Sequence, residues 1–385
     1  MTAEAEVGPA NFFKKPGKGS NASAQDAGAR DREVDRLYAE GRSAWLGGDH
    51  VGAENFAKAA LALDSTLPAL HYLVGLARFE RGYYSGATEA LESCLERQPK
   101  YPLAQHARAR WALARARLDT SAPSLEQLSA AAVPVSVIIC SVTPSKFERV
   151  QANYTALLAG MDHEIIGIHD ARSLAEGYNR GIRRARGEAL VFSHDDIEIL
   201  APDFAARLMN RMAESDLIGV AGTDRVCGGA WTDAGWPHVF GQVGTPRPDG
   251  RINATTYVVR GAGASPMQAL DGVFFAARRA VVEKIRFDES TFDGWHLYDL
   301  AFSYAAALAG FRLTVCNDFL LAHQSEGGYG EAWLRYARKF VAGHVKTIAP
   351  EDYAFTQLEL CALGMDSASE WRRFTHHLVS GAAPG

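Results

Sequence analysis

The chain has 385 residues, 47% of them apolar and 22% charged, with a formal net charge of −5. This length accommodates two or three domains of ordinary globular composition, and the lack of basic excess argues against nucleic acid and anionic membrane as partners. Five scattered cysteines without CxxC spacing point to reduced thiols rather than a disulfide framework or a zinc site. There is no apolar run of about 18 residues to span a membrane. The first residues lack the apolar stretch of a secretory signal, so the expected location is the cytoplasm.

Residues 1–32, rich in Gly, Ala, Ser and Lys, read as a disordered arm. Residues 33–118 are helical in period and repeat themselves. Gly41, Gly48, Gly52, Ala53 and Leu61 recur 34 residues later as Gly75, Gly82, Gly86, Ala87 and Leu95. Small residues at these places let paired helices approach, and Gly48 and Gly82 suit the turns between them. The pattern resembles the tetratricopeptide repeat, with "PLAQHARARWALARARL" as a closing helix. The resemblance implies a surface for a protein partner or for self-association; a plain helical spacer is the other reading.

Residues 119–132 break the period with Ser, Pro and Ala and read as a linker. Beyond them come the apolar strands "VSVIIC", "EIIGI" and "ALVF", separated by helices over 147–158 and 174–185. Nearly continuous apolar strands alternating with helices predict a parallel sheet covered on both faces. Such sheets bind ligands beyond the carboxyl ends of their strands. Three strand ends therefore stand out. The first leads into Ser141, Thr143 and Ser145, the second into His169 and Asp170, and the third into His194, Asp195, Asp196 and Glu198. If the chain stays extended past the third strand, His194, Asp196 and Glu198 point one way and Asp195 the other. A solvated loop acid is the other reading of both Asp195 and Glu198, and it suits Glu198 better. The segment carrying Asn179, Arg180, Gly181 and Gly187 is expected to return toward the same edge.

The ordered set "VSVIICSVTP…HEIIGIHDARSLAEGYNRGIRRARGEALVFSHDD" resembles the N-terminal half of family 2 glycosyltransferases with the GT-A fold. The resemblance implies a mixed, mainly parallel α/β sheet over residues 133–348, preceded by the all-α repeats and followed by a helical tail over 349–385. It implies a nucleotide-sugar donor pocket, with Ser141, Thr143, Asp170, Asn179, Arg180, Asp195 and Asp271 as donor-binding candidates. The family's first DxD acid is His194 here, and Asp196 stands in the second place. Asp196, with His194 and His323, is the candidate set for a divalent cation, Mn²⁺ or Mg²⁺, that stabilises the leaving diphosphate. A lone histidine after a strand is also compatible with a structural role for His323.

In the family an acid at the position of Asp299 is the catalytic base. Near a helix start its ionised form should be favoured, and Asp293 competes with it from the same loop. One in-line displacement at the anomeric carbon, with inversion, is the expected reaction. Trp231, Trp236, Trp295 and His296 are acceptor candidates, since aromatic faces stack on pyranoses; Trp231 and Trp236 are equally readable as loop packing. The acceptor is a glycan, a protein or a lipid-linked molecule. Two other classes stay open: a catalytically inactive nucleotide-sugar-binding scaffold acting through the repeats, and a nucleotidyltransferase on the same fold.

Overall fold

Small residues set the spacing of the first five helices: α1 (Asn21–Leu46), α2 (His50–Leu63), α3 (Pro68–Glu80), α4 (Tyr84–Arg97) and α5 (Pro102–Leu118). Each packs on its successor through buried alanines such as Ala53, Ala57, Ala60, Ala87 and Ala90. The equivalence of the two repeats is physical. A Cβ at Gly41 would stand 2.9 Å from the Leu73 side chain, and one at Gly75 would stand 2.6 Å from Leu91. Gly48 and Gly82 take φ of 82° and 73° in the turns between helices, which favours glycine in both. Glu54, nearly buried on α2, is met by Arg78 at 2.9 Å and Arg81 at 2.5 Å, tying α2 to α3 and its end.

The computed structural model describes residues 21–99, 102–325, 328–349 and 361–381. It divides into two units, Met1–Ser121 and Ala122–Gly385. Helix α1 begins inside the stretch expected to be a disordered arm; residues 1–20 of that arm lie outside the described residues. The expected linker splits differently. Its later half lies against the second unit, where the Glu126 backbone N–H donates to Asp203 at 2.6 Å and Ser129 donates to Asn210.

The second unit opens with β1 (Val135–Cys140), α6 (Pro144–Leu157), β2 (His163–Ile168), α7 (Leu174–Arg184), β3 (Ala189–Ser193), β4 (Ile197–Ile199) and α8 (Phe204–Glu214). Seven strands follow: β5 (Leu217–Gly219), β6 (Ala221–Thr223), β7 (Val239–Pro246), β8 (Ile252–Thr256), β9 (Gly263–Met267), β10 (Ala269–Leu270) and β11 (Phe274–Arg278). The remainder is α9 (Arg279–Lys284), α10 (Tyr298–Leu308), β12 (Leu313–Cys316), β13 (Leu321–His323), α11 (Glu331–His344), β14 (Cys361–Met365) and α12 (Ala368–Ser380).

The main sheet runs β2-β1-β3-β11-β5-β12-β9. β1 pairs in parallel with both β2 and β3, as the apolar runs predict. The sheet as a whole is mixed: β12 is also parallel to β5, whereas β11 is antiparallel to β3 and β5, and β9 is antiparallel to β12. A second sheet, β10-β6-β7-β13-β4 with β8 and β14 added beyond β7, was not legible in the strand pattern. The tail expected to be helical supplies β14, whose residues alternate buried and exposed along "CALGM" and pair antiparallel with β8. Only α12 is helical among its described residues, and its Trp371 is fully buried with Nε1 donating to Gln242 at 3.1 Å.

The glycines expected near the ligand edge serve packing instead. A Cβ at Gly181 would stand 2.3 Å from Ile138, and one at Gly187 2.5 Å from the backbone nitrogen of Ser136. Gly187 also donates its N–H to Ser136 Oγ at 2.8 Å. A methyl group there has no room without moving β1, so Gly187→Ala is expected to cost about 1–3 kcal/mol. The measurement is a lowered urea midpoint at unchanged m-value; an unchanged midpoint would refute the packing role.

Candidate active site

The end of β3 does not stay extended. Asp195 and Asp196 form a turn before β4, so the expected alternation holds only in part: His194 and Asp196 still converge, but Asp195 and Asp196 both face Lys146. Their carboxylates lie 3.9 Å and 3.6 Å from Lys146 Nζ. Glu198, on β4, is exposed to solvent. β4 then pairs antiparallel with β13 in the register Ile197↔His323. That register brings two distant stretches together: His323 Nε2 lies 3.1 Å from Asp196 Oδ1. His194 completes the group, its ring centroid 5.5 Å from that of His323.

One potential ligand atom from each of His194, Asp196 and His323 falls within 4.8 Å of the others. Two imidazoles and a carboxylate form a donor set that a transition-metal ion such as Mn²⁺ accepts more readily than Mg²⁺, which binds oxygen ligands almost exclusively. Burial raises the Asp196 carboxyl, but hydrogen bonds from His323 and Ser325 outweigh it and hold the group well below the usual carboxylate range. His194 is depressed by burial and then by the neighbouring His323. Its tautomer follows from Tyr298. The single phenolic proton of Tyr298 goes to the Gly272 carbonyl at 3.1 Å, so His194 Nε2 donates to Tyr298 Oη at 2.9 Å. Nδ1 is left with the free lone pair that a ligand needs.

Two cavities meet at this cluster. One, of ≈ 330 Å³, opens between the ends of β1 and β2 and is lined by Ser141, Val142, Ala171, Asp195 and Asp196 among others. Ser141 Oγ donates to Asp195 at 2.6 Å and fixes that carboxylate on the cavity wall. The other, of ≈ 500 Å³, is walled by Trp231, Tyr257, Tyr329, Trp333 and His296 and floored by Asp271 and Asp299. His194, Trp295 and Ser325 line both.

Asp299 stands in the first turn of α10, where a lowered pKa was expected. The structure reverses that. Burial, and then repulsion from Asp271, push the carboxyl up to about 7 despite hydrogen bonds from backbone N–H groups, among them Gly272 at 3.0 Å. Asp293, the competing base, does not line either cavity. It is exposed, accepts a hydrogen bond from Tyr336 at 2.9 Å, and is held below the usual range first by that bond.

Asp271 lies on the larger cavity and accepts from Trp231 Nε1 at 2.8 Å. Trp231 also packs edge-on against Tyr257, so its two expected roles, packing and lining, coexist. Trp236 lines neither cavity. Thr143, Asp170, Asn179 and Arg180 do not line them either. Thr143 precedes Pro144 at the start of α6, and Asp170, largely exposed, is paired with Arg180 at 2.8 Å. Asn179 is buried and spent on structure: its amide donates to the Phe287 carbonyl at 2.8 Å and accepts from the Phe287 N–H at 3.2 Å. Asn179→Ala is therefore expected to lower stability by about 1–3 kcal/mol through orphaned backbone groups while leaving nucleotide affinity unchanged. Calorimetric titration with nucleoside diphosphates would expose a binding role if affinity fell.

Sequence reasoning missed Lys146, Tyr298 and Ser325. Lys146 follows the first strand by a few residues, so the strand-end argument that singled out Ser141 and Thr143 extends to it. Tyr298 and Ser325 carry no local signal, because their partners come from other elements.

Fold and site together define an α/β protein with a cation-capable His–Asp–His cluster at the carboxyl edge of parallel strands, set between two ligand-sized cavities. A profile of the glycosyltransferase-like family matches residues 136–341, more than half of the chain, and the chain belongs to that family. No curated protein sequence matches it. Among solved structures, the mannosyltransferase PcManGT from Pyrobaculum calidifontis, in complex with GDP-Man and Mn²⁺, is 14% identical. The match covers 76% of this chain and 81% of that one, with a TM-score of 0.37. GalNAc-T7 with UDP, GalNAc and Mn²⁺ is also 14% identical, covering 55% and 48%, with a TM-score of 0.34. A197 from STIV is 12% identical, covering 51% and 96%, with a TM-score of 0.30.

Proposed function

We propose that this protein is a metal-dependent glycosyltransferase of the GT-A type, moving a sugar from a nucleotide-sugar donor to an acceptor hydroxyl with inversion. One observation carries the reading. The cation-capable cluster lies where the two cavities join, and a carboxyl with a pKa near neutrality opens only into the second. That separation suits a donor diphosphate on one side and an acceptor hydroxyl with its base on the other.

His194, Asp196 and His323 would hold the ion, and Mn²⁺ is the better match to the donor set. When bound, it supplies Lewis-acid stabilisation of charge on the leaving diphosphate. Asp299 takes the acceptor proton, and its raised pKa places it near the working pH where a general base is most effective. Trp295, half exposed, lines both cavities and could contact either substrate. Trp231, Tyr257 and Trp333 offer ring faces to a sugar, which favours a glycan acceptor over a peptide or a lipid. Ser141 and Asp195 are the donor-side contacts we retain from the sequence-based set.

The helical repeats of the first unit are read as a tetratricopeptide module for a protein partner or self-association. No helix among the described residues is long and apolar enough to cross a membrane, and none of the five cysteines is in a disulfide. A cytoplasmic location is in keeping with both. The test is a donor screen for Mn²⁺-dependent release of UDP, GDP or TDP in the presence of oligosaccharide acceptors. Release of pyrophosphate instead would point to nucleotidyl transfer, and no release with any donor would favour the inactive scaffold.

A further inference from the structure

Resting on that reading of the site, we propose that Lys146 is a diphosphate-binding residue that also competes electrostatically with the metal ion. Lys146 stands in the first turn of α6 directly after β1, and its side chain is 39% exposed. Its Nζ lies 3.6 Å from Asp196 Oδ2 and 3.9 Å from Asp195 Oδ1. Both contacts are long for hydrogen-bonded ion pairs, so the ammonium is held by two carboxylates without being locked to either. Ser141 already orients Asp195 through a 2.6 Å bond, and His323 already contacts Asp196 at 3.1 Å. Lys146 is therefore not needed to position either acid; it lines neither cavity itself, but its ammonium stands beside two carboxylates that line the donor-side one.

Charge accounting gives it a task. Two carboxylates, a divalent cation and the doubly negative diphosphate of a nucleotide-sugar leave a surplus of negative charge; one ammonium halves it. The surplus grows during transfer, because cleavage of the bond from the anomeric carbon to the phosphate oxygen leaves that oxygen with the electron pair. A cation that meets this oxygen stabilises the transition state more than the ground state. Before a donor arrives the same ammonium opposes metal entry, since a cation so close to Asp196 repels a second one. Two opposite effects of one substitution follow, and a merely structural salt bridge predicts neither.

The experiment uses the full-length protein and two probes, Mn²⁺ alone and inorganic pyrophosphate in saturating Mn²⁺, each followed by calorimetric titration. Lys146→Ala is expected to bind Mn²⁺ alone about two- to fivefold more tightly, the size expected of a partly screened charge contact. It is expected to bind pyrophosphate about tenfold to a hundredfold more weakly, the range of one lost charge-assisted hydrogen bond. Lys146→Arg should restore much of the pyrophosphate affinity. Equal pyrophosphate affinity in wild type and Lys146→Ala would overturn the proposal while leaving the donor site standing. Weaker Mn²⁺ binding in Lys146→Ala would overturn it too, by showing that the ammonium supports the ligand geometry. Absence of Mn²⁺-dependent pyrophosphate binding in the wild type would remove the donor-site reading and this proposal with it.

Discussion

Asp299→Asn is expected to reduce sugar transfer by about a hundredfold to ten-thousandfold, the usual contribution of a general base, with donor binding unchanged. The reason lies in the environment of the carboxyl. Burial and the charge of Asp271 push it up to about 7, so at neutral pH it can both accept a proton and release it. Transfer in the wild type should therefore rise with pH, with its midpoint near 7 and a tenfold loss per unit below. Asp271→Asn removes one of the two causes and should move that midpoint downward.

Stability should move in the opposite sense. A carboxyl raised on folding contributes stability that is fully present below its unfolded value of about 3.9. That contribution is lost as pH climbs through about 7, where the folded protein must carry a desolvated charge. Asn carries no charge, so Asp299→Asn should melt at or above the wild-type temperature at pH 8. An inactive but stable variant with an intact donor isotherm supports the base assignment. Retained transfer would move the role to another acid.

Asp196→Ala is expected to lower affinity for Mn²⁺ at least about a hundredfold, since the substitution removes a proposed ligand itself rather than a residue that only orients one. Release of nucleoside diphosphate from the donor should fall with it. The carboxylate is the one anionic member of the cluster, and its contacts to His323 and Ser325 keep it ionised well into acid. Its neighbours grade the effect. Asp195→Ala should weaken donor binding more than metal binding, because Asp195 faces Ser141 and Lys146 rather than the histidines. Glu198→Ala should change neither, because that side chain points to solvent from β4. Electron paramagnetic resonance of added Mn²⁺ separates these cases without depending on turnover. Unaltered Mn²⁺ binding by Asp196→Ala would remove the cluster from the mechanism.

The two predictions depend on the sequence to different degrees. Asp196 was legible as a ligand-edge acid because an apolar strand ends just before it, and ligands collect at such ends in parallel sheets; its metal role came through resemblance. Asp299 was legible as a base candidate only through resemblance, and its expected pKa had the wrong sign. A helix start favours the ionised carboxylate, but burial beneath Gly272 and the charge of Asp271 are stronger here. Asn179 shows the converse situation. Its place in a motif suggested ligand binding, whereas its amide closes a backbone loop around Phe287.

By itself the sequence determined what is local or periodic: the paired helices and their glycine turns, the three parallel strands, and the acids at their ends. Those features rest on side-chain period, chain geometry and backbone preference, which act over a few residues. Tertiary structure alone decided the register of β4 against β13 that brings Asp196 to His323, and the antiparallel return of β11 and β14. It also decided which of Asp293 and Asp299 is turned into the cavity. Pairing between distant strands, and the desolvation it imposes, depend on what the rest of the chain packs around a residue. No short window of sequence contains that.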